Sequence, residues 1–306
     1  MNETASEQRD DLLEWQKEKL ETQVQRAAQW VDSFFSDPDY VAEAASSQFR
    51  FRPEIYYRKE QGTDLRANMA LKLHLPNLNR KVSLVIGSSP DDTGFGDSAE
   101  EDAEESVIGL QFFGKMRKRW HTSLSAGLTF DEFAAYIGPR GRYWKNFNER
   151  TSLRFSQAVR WQTNNYWQIL SRLDINHTLP GGYMFRQTFD GRWRAEKSDK
   201  EGYRTRISSI LTRYLSSSAG LQYDFTTIIH TRPDTHVDRY TLAVRYRMRS
   251  SRDWLYYEIA PQVSFEDEFD YAANPGIRLR LEFFYGTDIE RRRWKNKPED
   301  YEGFYW

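Results

Sequence analysis

Arginine has the clearest chemical potential in this sequence, because it recurs at alternate positions of several stretches of about ten residues. A guanidinium group stays charged and binds carboxylates and phosphates through paired N–H donors. In residues 153–161, 240–249 and 277–286 the arginines share one face and apolar residues share the other, since successive side chains of a strand point to opposite sides. The charged face supplies the candidate solute-contacting residues. They are Arg154, Arg160, Arg172, Arg186, Arg192, Arg204, Arg206, Arg245, Arg247, Arg278, Arg280, Glu258 and Glu282.

The same alternation continues from about residue 48 to residue 286 and predicts about fourteen β-strands. The stretch 277–286 shows it most clearly, with Ile, Leu, Phe and Tyr alternating with Arg and Glu. Turn residues separate the strands, and every second connection is short. These short connections are residues 76–80, 179–182, 215–218 and 250–253. Residues 138–141 are rich in Gly and Pro and predict a bulge.

The composition excludes several classes of protein. A formal net charge of -1 over 306 residues gives no reason to expect a nucleic-acid partner. The mean hydropathy of -0.82 indicates a polar chain, but 15% aromatic residues is too high a content for disorder. The absence of an apolar run of about eighteen residues excludes a helical membrane span. The absence of cysteine excludes disulfides, thiolate metal sites and a cysteine nucleophile.

Residues 1–45 differ in pattern from the rest of the chain. Between residues 8 and 35, Leu, Val, Trp and Phe recur at helical spacing among charged residues, which predicts an amphipathic helix. This helix could plug a barrel, lie on an inner membrane surface or bind a periplasmic partner, and simple packing against the following residues is an equal alternative. The start of the chain shows no basic region followed by an apolar core, so we expect the mature form of an exported protein.

Two other segments lack strand periodicity. Residues 88–106 are rich in Asp and Glu, whose oxygens suit Ca²⁺, but they lack the ordered spacing of a calcium loop, so a solvated loop is favoured. Residues 287–306 contain a proline and a cluster of charges, and we expect a C-terminal tail. The chain therefore divides into an N-terminal helix and linker at 1–45, a strand-rich domain at 46–286 and a tail at 287–306.

Residues 48 to 286 resemble the outer-membrane β-barrel proteins of Gram-negative bacteria, and in particular porin-like barrels of about fourteen strands. Ten-residue segments with one apolar face and turns between them are the pattern of this family. The strand that ends at residue 285 is similar to the closing strand that the barrel assembly machinery recognises. Aromatic residues near strand ends look like the girdles at the two membrane interfaces. They are Trp144, Trp161, Tyr166, Trp167, Trp193, Tyr203, Trp254 and Tyr257.

The resemblance implies an all-β, antiparallel up-and-down transmembrane barrel with an N-terminal amphipathic helix. Outer-membrane lipid and lipopolysaccharide would surround it, and both termini would lie in the periplasm. Arginine facing lipid costs about 2–4 kcal/mol at the bilayer midplane, so the arginines must face the lumen. Two interpretations of this lumen stay open. Excess arginine lines a pore that favours anions, or arginine and acid pair across strands and fill a narrow barrel.

We therefore expect a passive channel for small polar or anionic solutes, with no catalytic residue, cofactor or metal. The alternative is a closed barrel that acts as a scaffold and docks periplasmic partners, with residues 8–35 as a contact. A third possibility is a lipid-modifying enzyme, since His121 and Ser123 share a face, and outer-membrane phospholipases and lipid A deacylases use Ser and His. A polar pair inside the lumen is the favoured interpretation of these two residues. The five histidines form no close-spaced metal motif.

Overall fold

The computed structural model describes residue 34 and residues 47–74, 82–88, 106–114, 119–130, 133–164 and 166–286. Fourteen β-strands lie within these ranges. They are β1 (Gln48–Arg58), β2 (Gly62–His74), β3 (Val82–Ser88), β4 (Ser106–Phe113), β5 (Trp120–Thr129), β6 (Ala135–Asn146), β7 (Thr151–Gln162), β8 (Tyr166–Leu179), β9 (Tyr183–Arg194), β10 (Tyr203–Ser216), β11 (Ala219–His230), β12 (His236–Arg249), β13 (Leu255–Glu266) and β14 (Ala273–Gly286). A 3-10 turn at Asp267–Phe269 joins the last two strands.

The strands form one closed barrel. Each strand pairs with its neighbours in the chain, and β14 returns to pair with β1, so the sheet has no free edge. The pairing is antiparallel throughout, as at the closing pair β1 and β14. The predicted all-β, antiparallel up-and-down barrel of fourteen strands is confirmed. Its first and last strands meet at one end, where Gln48 pairs with Gly286; we call this the terminal end. The other end carries connections such as 59–61 and 231–235, and we call it the opposite end.

The two faces of the barrel wall alternate along each strand. In β7, Arg154 and Arg160 are buried, whereas Phe155 and Trp161 are each 37% exposed. In β14 the contrast is larger, because Leu279 is 45% exposed and Arg280 only 5%. Buried and exposed side chains therefore alternate with the same period of two residues as the sequence pattern. The inner face is polar and the outer face is apolar.

Aromatic side chains cluster on the outer face near both ends. At the terminal end, the Trp254 ring stacks on Phe283 and Tyr285, with centroids 6.0 and 5.5 Å apart. At the opposite end, the Tyr240 and Tyr271 rings lie 6.1 Å apart. An apolar band between two aromatic belts is the arrangement expected of a barrel that crosses a bilayer.

Trp144 does not belong to these belts. It occupies the same face of β6 as the buried Arg140 and Arg142, and its indole Nε1 donates to Asn146 Oδ1 at 2.7 Å on that inner face. The predicted girdle position of Trp144 was therefore wrong. Proximity to a strand end does not specify which face a side chain lies on. Trp144 has the same even-numbered parity as Arg140 and Arg142, and this parity specifies the inner face. For Tyr166, the side chain lies outside the described atoms.

The predicted bulge in the part of β6 that contains Gly and Pro is also wrong. Ile137 pairs with Trp161 and, three residues on, Arg140 pairs with Ala158, so no residue is inserted between them. Proline is tolerated here without a change of register. A register shift occurs instead between β11 and β12, next to Ile228.

Several predicted features fall outside the described residues. These are the helix at 8–35 apart from Phe34, the acidic loop between β3 and β4, and the tail at 287–306. Among the residues that are described, no helix has the length and apolar character needed to cross a membrane.

Candidate functional site

The candidate site is the inner wall of the barrel. The thirteen charged residues singled out in the sequence all lie on this wall, with exposures between 1% and 7%. They belong to β7–β10 and β12–β14, because those strands carry arginine at the inward positions. Their burial agrees with the predicted face, and their contact with a solute stays a prediction.

The wall carries more basic residues than the eleven candidate arginines. Additional buried basic side chains come from the same inward positions of β1, β2, β6 and β12. They are Arg50, Arg52, Arg58, Lys72, Arg140, Arg142 and Arg239. In the described part of the chain, seventeen arginines and one lysine are buried, against six carboxylates. Strict parity along β1 and β6 would have found most of the missed arginines. The wall is strongly basic.

One group of ion pairs links β7, β8, β9 and β10. Asp174 accepts from Arg154, whose Nε and terminal nitrogen lie 2.8 and 2.7 Å from Oδ2, and from Arg172 Nε at 3.1 Å. Asp190 accepts from Arg206 at 2.6 Å, and Arg172 Nε is also 3.6 Å from Asp190. Arg172 therefore bridges two fully buried carboxylates on neighbouring strands. This network ties four strands together from inside.

A second group lies where β12, β13 and β14 meet. Arg247 is 3.2 Å from Glu282 and 3.5 Å from Glu258. Glu258 is in turn 3.6 Å from Arg278 and 3.5 Å from Arg280. Each carboxylate is thus shared by more than one guanidinium. Such sharing holds the arginine side chains in fixed positions along the wall.

The wall is not uniform around its circumference. β3, β4 and β5 contribute no buried charged side chain in the described residues, and Val85 and Val107 of these strands form an apolar cluster with Tyr136 of β6. Arg160 marks the boundary of this cluster, since its guanidinium lies 4.1 Å from the centroid of the Tyr136 ring. The arc formed by β3, β4 and β5 is therefore neutral, and every buried Arg and Lys of the described residues lies outside it.

Phe34 lies inside the barrel, although it precedes the first strand. It is 1% exposed, and its ring meets the Tyr256 ring edge-on at 6.1 Å. The Arg247 guanidinium lies 5.8 Å from the Phe34 ring and 4.6 Å from the Tyr256 ring. Arg247 and Tyr256 both belong to the inner wall close to the terminal end. At least one residue of the N-terminal segment therefore occupies the lumen.

His121 and Ser123 lie on the inner face of β5. They pair with Arg142 and Arg140 of β6, which are buried in the lumen wall. The two residues do share a face, as predicted, but that face is directed away from the apolar exterior. This placement gives them no access to lipid.

Comparison with known proteins finds no matching family model and no matching curated protein. Solved structures with a similar fold include an anion-selective porin from Comamonas acidovorans (8% identity, TM-score 0.47, covering 78% of this chain and 99% of that one). They also include OprD of Pseudomonas aeruginosa (9% identity, TM-score 0.45, covering 79% and 95%). A third is the KdgM porin (6% identity, TM-score 0.38, covering 76% and 98%).

Proposed function

We propose that this chain is an outer-membrane channel for small anionic solutes. The observation that carries the proposal is the charge of the lumen wall, where buried basic side chains outnumber buried carboxylates by twelve in the described residues. A wall of one sign raises the local concentration of ions of the other sign. Rings of Arg and Lys are the usual means by which pores select anions.

The membrane location is supported by the outer face. Leu65, Met69, Leu128, Leu242 and Leu279 are between 45% and 72% exposed there. In water, a continuous apolar surface of this kind promotes aggregation. In a bilayer, the same band is stabilised by lipid contact, and the aromatic belts lie at its two interfaces.

The N-terminal segment has features of a plug for this channel. Residues 1–45 contain eleven Asp and Glu and only four Lys and Arg, so their charge is opposite to that of the wall. Phe34 already lies against Arg247 and Tyr256 within the lumen. Opposite charge and an aromatic anchor together favour retention of the segment inside the barrel.

The second candidate function is a closed barrel that acts as a scaffold. The shared ion pairs of Arg172 and Arg247 favour it, because they fix long side chains that would otherwise be available to a passing solute. The two functions differ in whether ions can cross once the N-terminal segment is removed.

Conductance in planar bilayers separates the two functions. We expect the full chain to conduct weakly and a variant without residues 1–45 to conduct more. Phe34→Ala should raise the conductance of the full chain towards that of the truncated variant, because it removes the ring that contacts Arg247. The matched control is Phe133→Ala, which changes a side chain that is 86% exposed at the opposite end. If neither the full chain nor the truncated variant conducts, while both fold into barrels, the channel function is wrong and the scaffold is favoured.

A further inference from the structure

Two histidines and an aspartate converge at the opposite end of the barrel. His230 Nδ1 lies 2.6 Å from Asp238 Oδ2, and His236 Nε2 lies 3.1 Å from Asp238 Oδ1. Each residue offers one potential ligand atom, and these three atoms all lie within 4.8 Å of one another. The three side chains are partly buried, with 14%, 38% and 16% exposure for His230, His236 and Asp238. They are therefore sheltered but reachable from solution.

The register shift between β11 and β12 creates this cluster. Ile228 pairs with Arg239, but the next pair joins Ile229 to Val237, so Asp238 is the additional residue on β12. The following pair brings His230 directly opposite His236. Bulges commonly redirect a side chain next to a functional site. Here the extra residue is directed at both imidazoles.

His230 and Asp238 form a close ion pair, yet each has one buried polar atom that makes no aligned hydrogen bond. In the described part of the chain, Asp238 Oδ2 and His230 Nε2 are buried without a hydrogen-bond partner, although Oδ2 is so close to Nδ1. Two ligands of one tetrahedral zinc ion lie roughly 3.3 Å apart, so the separation of Nδ1 from Oδ2 must widen by about 0.7 Å when an ion binds. The neighbouring His236 is held by its own Nδ1, which lies 2.8 Å from the Asp234 carbonyl oxygen. That contact leaves Nε2 directed at the cluster, as is common for metal-binding histidines.

We propose that His230, His236 and Asp238 bind a divalent transition-metal ion of the zinc type. Two imidazoles and a carboxylate suit this class of ion, and ligand atoms on zinc lie about 2.0–2.2 Å from the metal. Ligands at these distances in a tetrahedral site are roughly 3.3 Å from one another, close to the separation of His236 Nε2 from Asp238 Oδ1. Three protein ligands leave one position for water or for an anionic solute at the mouth of the barrel. The site also links the two strands on either side of the connection 231–235.

Zinc titration of the full chain tests this site. We would use untagged protein in detergent, treat it with EDTA, remove the chelator and measure Zn²⁺ binding by calorimetry. We expect one tight equivalent per chain. His230→Ala and Asp238→Asn should each weaken the affinity at least about tenfold, because each removes a ligand. Asp238→Asn keeps the size of the side chain, so it still tests the zinc site if the His230→Ala variant folds poorly.

His177→Ala is the matched control. His177 lies near the terminal end, where its Nδ1 is 2.9 Å from Thr151 Oγ1, and it is far along the barrel from the cluster. This variant should bind zinc as the unchanged protein does. The absence of a tight equivalent in the unchanged protein, or equal affinity in the His230→Ala variant, would overturn the proposal. Neither result depends on whether the barrel conducts ions, so the channel function is tested separately.

Discussion

Arg280 and Glu54 are 226 positions apart in the chain and meet across the line where the barrel closes. Arg280 Nε and a terminal nitrogen both lie 2.8 Å from Glu54 Oε2. The two residues are also a register pair of β1 and β14. Both are buried, so this charge pair joins the first and last strands on the lumen side.

Replacing Glu54 should weaken the closed barrel. Glu54→Ala removes one partner of a buried pair and should cost about 3 kcal/mol, the lower part of the usual range, because Arg280 keeps its contact with Glu258. Urea unfolding in detergent, followed by tryptophan fluorescence, measures the change. Glu60→Ala is the control, since Glu60 pairs with Lys59 on the exposed connection and exposed pairs contribute little. Equal stability of the Glu54→Ala variant and the unchanged protein would show that closure does not depend on this pair.

A charged side chain on the outer face should destabilise the barrel in lipid. Leu279 lies at the middle of β14 and is 45% exposed on the outer face. Leu279→Arg should cost about 2–4 kcal/mol in lipid, because it places a guanidinium near the bilayer midplane. Folding efficiency into vesicles, read from the heat-dependent shift in gel mobility, reports this loss. Leu279→Phe keeps an apolar side chain and should fold normally. If the arginine variant folds into vesicles equally well, the face does not contact lipid.

Any side chain at position 191 should destabilise the barrel while Tyr203 is present. A Cβ at Gly191 would lie 2.4 Å from the Tyr203 hydroxyl oxygen and 2.5 Å from a ring carbon. The Tyr203 ring thus covers the glycine of the neighbouring strand, an arrangement that fixes register in sheets. Gly191→Ala should destabilise the barrel by about 1–3 kcal/mol.

A double variant tests whether this loss comes from the ring. Gly191→Ala in a Tyr203→Ala background should cost clearly less than in the unchanged protein, because the crowded group is gone. Gly141→Ala is a suitable control, as a Cβ there would have nothing within 4 Å. Additive losses in the double variant would mean that Tyr203 does not limit the size of residue 191.

Much of the fold follows from period-two alternation. In β7 and β14, apolar and charged residues alternate so regularly that both the strand and its inward face could be predicted. Alternation predicts β14 only from Ile277, although the strand starts at Ala273, because Pro275 interrupts the pattern while still pairing with Val263. Alternation also cannot show a register shift, since the extra residue Asp238 looks like any other polar position.

The lumen site was predictable in outline but not in its contacts. Parity assigns Arg172 and Arg247 to the inner face, and both are buried there. It does not reveal that each bridges two carboxylates, because cross-strand distances depend on the tilt and stagger of the closed barrel. The contact of Phe34 with Arg247 joins distant parts of the chain and leaves no local signal. The cluster of His230, His236 and Asp238 was missed for a similar reason, as its members converge only across a hairpin.

The reversal potential of the channel tests the central claim most directly. The full chain and the variant without residues 1–45 would be placed in planar bilayers between unequal concentrations of KCl. The basic lumen predicts that chloride carries most of the current, so the reversal potential should have the sign of an anion-selective pore in both proteins. A potential of the opposite sign, or none, would contradict the proposal that the arginine-rich wall selects anionic solutes.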